Sequence, residues 1–272
     1  MSQISFNPAT LSAPATRIRA ARRRTTLILL LRVVVIGGLV LLWHWLTATD
    51  ILPAFVFGRP LAVFMQIFSW FSTGKIFVHL GVTLLETLLA FVIGSALGLA
   101  AGLWLGLTPF LAEVLDPVLK GINSMPRVVL GPLFAVWFGL GIWSKVWLGV
   151  TIVFFLVFFN VFQGVREVSP VVLANARMLG ASRSQLLRMV YLPSAMSWMF
   201  ASLHNAVGMA FVGAVIGEYL GSARGIGYLI LQAEGVFNMN AVIAGIFVLT
   251  IFAYGLDHVV SVVERRLLVW QR

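Results

Sequence analysis

Seven polar side chains stand in strongly apolar surroundings: Glu86, Asn123, Arg127, His204, Asn205, Glu218 and Asp257. Groups of this kind inside apolar sequence are costly and usually face a cavity or a partner. Three chemistries are open to them. Glu86, His204 and Asp257 could form a proton relay. Asn123, Arg127, Asn205 and Glu218 could line the route of a polar solute. Each could also be structural, with Glu86 bonding a neighbouring helix, Arg127 snorkelling and His204 satisfied in the interior. Other chemistries fit poorly. The four histidines (44, 79, 204 and 258) are never four residues apart, and no acid pair resembles a metal site. Zero cysteines exclude thiolate metal sites, disulfides and Cys nucleophiles. No nucleophile–base set and no cofactor motif is visible, so an enzyme is not expected.

The elements that carry these groups are set by composition. The chain has 272 residues, 60% hydrophobic and only 10% charged, with a mean hydropathy of +1.01. A water-soluble chain carries about 25% charged residues. A soluble core of this size cannot hide so much apolar surface, so the solvent is lipid. A helical span needs about 20 apolar residues. The expected fold is all-α with six transmembrane helices: about 26–46, 78–107, 117–140, 145–165, 194–217 and 240–262. Asp116–Pro117 reads as the cap and first turn of the third, with interruptions near Pro126 and Pro132. The segment 61–71 is too short to span and is expected on the outer surface. Residues 1–26 form a basic cytoplasmic tail and 27–272 a single membrane domain; the first helix is read as uncleaved.

Charge orients the bundle. With both termini cytoplasmic, fifteen Lys/Arg lie inside and four outside (Arg59, Lys75, Lys145 and Arg224). This is the positive-inside asymmetry. The net charge of +10 therefore serves topology, and no nucleic-acid partner is expected. Gly94, Gly98, Gly102 and Gly106 recur every fourth residue, a bare stripe for close helix packing. Gly213, Gly217 and Gly221 repeat the pattern. Such a stripe serves either a sliding contact or static packing.

Residues 166–193 are too long for a connector. Ser169–Pro170 starts a helix that ends at Leu179, and Gly180 is its left-handed terminator. Ser182 and Gln185 form a capping box for a second helix, Arg183 to Tyr191, which ends at Leu192–Pro193. Both helices are expected to lie flat under the membrane, with small residues (Ala174, Ala176, Gly180, Ala181, Ser182) at the elbow. Leu173, Leu179, Leu186 and Leu187 give them an apolar side, for a protein partner or for lipid headgroups.

This segment resembles the signature loop of binding-protein-dependent ABC-importer permeases. Their pattern is Glu-Ala-Ala, three residues, Gly, nine residues, Ile-x-Leu-Pro. Here it is Ala174-Asn175-Ala176, three residues, Gly180, nine residues, Val190-Tyr191-Leu192-Pro193. The acid is replaced by Ala174, which weakens one polar contact. Further stretches are similar to the sulfonate, taurine and nitrate branch: Met125-Pro126-Arg127 through Gly131-Pro132-Leu133 and Trp137-Phe138-Gly139; Gly217-Glu218 with Gly225 to Ile230; and Glu264-Arg265-Arg266 leading to Trp270. The resemblance covers about 60–270.

The resemblance implies a type I ABC importer permease of the bacterial inner membrane. Its coupling helix, carrying Ala174, Asn175, Ala176, Arg177, Gly180, Ala181, Ser182, Leu192 and Pro193, would dock on a cytoplasmic ATPase dimer. This chain has no Gly-Lys-Ser/Thr phosphate loop, so ATP and Mg would be bound by those partners and no cofactor by this chain. A second permease chain, expected to be another copy, and an extracytoplasmic binding protein complete the system. The implied cargo is a small polar, anionic solute such as a sulfonate, taurine or nitrate; pyrimidine vitamin precursors use similar permeases. The alternative is a proton-coupled carrier using Glu86, His204 or Asp257. It gives no reason for a capped helix pair at 166–193.

Overall fold

The computed structural model describes residues 14–267, without the side chains of 14–23, 197, 263, 265 and 267. The first thirteen residues of the basic tail and Trp270 lie outside the described residues. Every regular element among the described residues is helical. Six segments are long and apolar enough to cross a membrane: Arg24–Ala48, Ala54–Ser72, Lys75–Gly106, Ile142–Arg166, Trp198–Leu220 and Met239–Val262.

The chain divides into two compact units, Met1–Ala62 and Val63–Arg272. In the first, α1 (Pro14–Ala48) runs through residue 26 without a break. The short α2 (Ala54–Phe57) follows, and the Trp43 indole donates to the Phe57 carbonyl at 3.1 Å.

The second unit takes in most of α3 (Pro60–Ser72), then α4 (Lys75–Gly106), α5 (Pro109–Asn123), a 3-10 turn at Arg127–Val129, α6 (Leu130–Phe138) and α7 (Ile142–Arg166). The elbow helices α8 (Pro170–Met178) and α9 (Arg183–Leu186) precede a π-turn at Leu187–Tyr191. Then come α10 (Leu192–Leu220), α11 (Ile226–Gly235) and α12 (Met239–Leu267).

α7 is the central helix, held between α4 and α10. Two interlocking stripes explain why. Val153, Val157, Val161 and Val165 on α7 repeat every fourth residue, as the glycines of α4 do. A Cβ at Gly94 would lie 2.7 Å from Val153 Cβ, one at Gly98 2.8 Å from the Phe154 carbonyl, one at Gly102 2.8 Å from the Phe158 carbonyl, and one at Gly106 2.8 Å from Val165 Cβ. On the other side of α7, a Cβ at Gly213 of α10 would stand 2.6 Å from the Gly149 Cα. Lipid supplies no hydrophobic drive between helices, so association depends on such contact. Gly98→Val therefore forces a methyl-bearing carbon into backbone. It is expected to destabilise the bundle by about 1–3 kcal/mol. The thermal midpoint of the purified chain checks this, and an unchanged midpoint would contradict the packing account.

Three sequence expectations need correction. The segment 61–71, expected to be too short to span, lies within Ala54–Ser72, which is long and apolar enough to cross a membrane. The helix expected to begin at Pro117 begins at Pro109, after Thr108 at the N-cap, and carries Pro117 internally. Thr108–Pro109 is itself a cap-and-proline start, and it acts first. The expected third span, 117–140, is cut between Asn123 and Arg127, leaving Arg127–Phe138 as a short apolar stretch. Pro126 makes that break. Pro132 does not interrupt anything, because it falls in the first turn of α6, where no N–H is needed.

Candidate functional site

The elbow is built by local chemistry. Pro170 opens α8 after Ser169, whose hydroxyl makes no cap bond. α8 then ends in a Schellman motif: Ala181 N–H donates to the Ala176 carbonyl at 3.1 Å and Gly180 N–H to the Arg177 carbonyl at 3.0 Å. Gly180 has φ +79°, a left-handed conformation that costs other residues about 1–2 kcal/mol. Ser182 and Gln185 make the reciprocal capping box: Gln185 N–H donates to the Ser182 hydroxyl at 3.3 Å, and Ser182 N–H to Gln185 Oε1 at 2.8 Å.

The second helix departs from expectation. It does not lie flat as a separate piece. α9 passes through the π-turn into α10 with helical dihedrals at Leu187, Tyr191 and Leu192. The Pro193 ring would clash with a regular helix before it, and the wider π-turn absorbs that clash. Arg183 to Leu220 thus forms one rod, anchored by the buried Leu186. The tip of α8 is bare: Met178 is 81% and Leu179 88% exposed. Ala174, Asn175, Arg177, Gly180, Ser182 and Pro193 are exposed; Ala176, Ala181 and Leu192 are half-buried.

The four route candidates separate into three places. Asn123 and Arg127 come together at the broken helix, where Arg127 donates to the Asn123 side-chain oxygen. The guanidinium also lies over the Phe155 ring, 4.5 Å from its centroid. Asn205 is exposed on α10. Glu218 is wholly buried, in a polar cluster that joins α4, α7, α10 and α11. Its Oε1 accepts from the Thr83 hydroxyl at 2.6 Å and its Oε2 from Gly227 N–H at 2.7 Å. Thr83 accepts from Ile226 N–H at 3.1 Å, and His79 Nδ1 from Gly225 N–H at 3.1 Å. Gly225 has φ +113°, and a Cβ there would collide with the Glu218 carboxyl. Glu218 therefore fastens the start of α11 to the bundle.

Glu86 belongs to the same cluster. Its carboxyl stands close enough to that of Glu218 for the two to act on each other electrostatically, and its Oε2 has no hydrogen-bond partner among the described residues. Lys145 completes the set. It is 1% exposed, acts electrostatically on both carboxyls, and donates to the carbonyls of Leu140 at 2.7 Å and Gly141 at 2.9 Å. Charge counting assigned Lys145 to an outer surface and missed its burial. Its position in the first turn of an apolar helix, four residues before Gly149, was the available signal.

His204 lies elsewhere, with Nε2 3.5 Å from Asp257 Oδ1 and Nδ1 2.8 Å from Glu264 Oε2. Asp257 is thus partnered by this histidine. Fourteen residues of α10 separate His204 from Glu218, about 21 Å at ~1.5 Å per residue. Glu86, His204 and Asp257 are thus not one relay.

Residues 94–269 match the family described as binding-protein-dependent transport system inner membrane component. The chain is 30% identical over 233 residues to a putative aliphatic sulfonates transport permease protein of Bacillus subtilis, covering 86% of this chain and 84% of that one. It is 31% identical over 233 residues to a riboflavin transport system permease protein of Chloroflexus aurantiacus, covering 86% and 87%. In structure it is similar to a chain of the inward-facing MetNI methionine ABC transporter, with a TM-score of 0.60 at 19% identity over 69% of this chain and 94% of that one.

Proposed function

The chain belongs to the inner membrane components of binding-protein-dependent transport systems, and from that premise we propose that a separate cytoplasmic ATPase dimer drives it through the elbow. It is a multi-pass permease subunit of an ABC importer of the bacterial inner membrane, a transport component and not an enzyme. In the proposed assembly, two copies of this chain form the pathway and an extracytoplasmic binding protein delivers a small anionic solute. ATP and Mg belong to the ATPase.

The single observation that carries this reading is the unbroken rod under an apolar tip. The helical run from Arg183 continues without a break from the elbow into α10, and Met178 and Leu179 stand exposed beside its start. A protein surface is what can cover them, and a push on that surface moves α10 directly. The carrier alternative leaves both the rod and the tip without a purpose.

The chain contains no cysteine, so Leu179→Cys provides one defined crosslinking point. In membranes holding the whole importer, a thiol-reactive crosslinker is expected to join this chain to the ATPase. Attachment to lipid alone would sink the proposal.

Arg127 supports the choice of an anion. Its guanidinium is bonded to a neutral Asn123 and rests on Phe155, and no carboxylate pairs with it among the described residues. Arg127→Gln is expected to slow import of an alkylsulfonate by about tenfold, the value of one charge-assisted contact, with ATPase association unchanged. Equal uptake by both forms would remove Arg127 from the route.

A further inference from the structure

The elbow end of the bundle holds a cleft that the coupling scheme does not use. It opens between α5, α7 and α10, has a volume of about 340 Å³, and is lined by Asp116, Lys120, Phe159, Asn160, Phe162, Gln163, Arg166 and Trp198. We propose that this cleft is a binding station for a tetrahedral oxyanion carrying a short apolar tail, held by Lys120, Asn160, Gln163 and Arg166 above an aromatic floor.

The donors are only partly committed. The Asn160 amide gives one N–H to the Leu156 carbonyl at 2.7 Å, and the Gln163 amide gives one to Glu167 Oε1 at 3.1 Å. Each keeps a second N–H. Arg166 lies over the Phe162 ring, 5.3 Å from its centroid, and forms no ion pair among the described residues. Lys120 is bonded to Asp116 at 2.6 Å, which leaves two of its three N–H groups. Counting Asp116, the lining carries one net positive charge. A planar guanidinium fork with further N–H donors around it matches the oxygens of a sulfonate or phosphate. A neutral solute would leave Arg166 unanswered.

The floor accounts for the tail. Phe158 and Phe162 stack at 5.8 Å, Phe155 and Phe159 at 6.1 Å, and Trp198 packs against Gly164, where a Cβ would meet its ring at 3.0 Å. The Phe155–Phe159 pair also links the cleft to Arg127, which covers Phe155. One face of α7 thus runs from one guanidinium over aromatic rings to another. Arg166 is the last residue of α7, four before the elbow helix begins. A ligand here would sit beside the elbow.

Two sources supply this chemistry: the solute itself on its way out, which rests on the proposed transport function, or the headgroup of an anionic phospholipid. The test uses the full chain in nanodiscs of phosphatidylcholine alone, with butanesulfonate as the probe. Saturation-transfer NMR is expected to detect the probe, and Lys120→Gln with Arg166→Gln to weaken it by about tenfold or more. Lys120 is mostly exposed, so Lys120→Gln alone leaves the fold undisturbed and should weaken the probe by about threefold. In nanodiscs that also contain phosphatidylglycerol, native mass spectrometry counts retained lipid. One more phosphatidylglycerol on the wild type than on the double variant, with the probe displaced, identifies the headgroup as occupant. Equal probe binding and equal lipid retention in all three proteins overturns the station. Probe binding that depends on these residues in a chain that never supports uptake would refute the transport reading and leave the station standing.

Discussion

With Met178 and Leu179 both replaced by aspartate, solute import is expected to fall by about a thousandfold while the chain stays in the membrane at its normal level. The size follows from two anchors of about 2 kcal/mol each at the centre of a docking surface. The normal level follows from their exposure: neither side chain supports the fold. Uptake of labelled solute alongside immunoblotting of membranes separates the two effects. Import within threefold of normal would end the coupling argument. Gly180→Ala makes a graded companion. A Cβ there meets nothing within 4 Å, so the whole penalty is left-handed backbone, about 1–2 kcal/mol. It should bend the elbow and lower import by about tenfold.

The second large effect concerns the buried cluster. Lys145→Met leaves Glu86 and Glu218 side by side with their nearby cation gone. It also leaves the Leu140 and Gly141 carbonyls without their donor. Orphaning two buried acceptors costs about 1–3 kcal/mol each, and the unopposed carboxyls add to it. For a bundle of marginal stability this means little folded protein. Adding Glu86→Gln to Lys145→Met should restore part of the loss, because one of two opposed carboxyls becomes neutral. Thermal unfolding of the purified single and double variants measures both steps. A double variant no more stable than Lys145→Met would show that Lys145 does not act through the acids.

The elbow was readable in advance because its determinants are local. A left-handed glycine and a capping box each involve a handful of neighbouring residues, and Gly180, Ser182 and Gln185 carried their full meaning in the sequence. The path beyond them did not. Leu192–Pro193 looked like a boundary, since proline ends most helices, yet a π-turn just upstream lets the backbone carry on. Whether a proline breaks or bends a helix depends on what the preceding turn can give up, and no residue pattern states that. Pro117 misled for a similar reason: Thr108–Pro109 started the helix earlier.

The site was legible in parts. Glu86 and Glu218 stood out as acids in apolar sequence, but their meeting is a fact of tertiary packing between residues 132 apart in the chain. Lys145 was counted among surface charges because charge asymmetry is a property of loops, whereas its burial depends on the approach of α4 and α10. The glycine stripe on α4 was visible by itself. Its valine counterpart on α7 was equally periodic, but valines in an apolar helix attract no notice until the facing glycines identify them.

That pair of stripes limits how the molecule can move. Four valines seated against four glycines at equal spacing mesh like a rack and pinion. A partial offset would set each valine against an occupied position, so α4 and α7 cannot creep past one another. Force delivered at the far end of α10, as proposed, would then turn the meshed helices as one block, and a change of opening would arise at the block's outer borders.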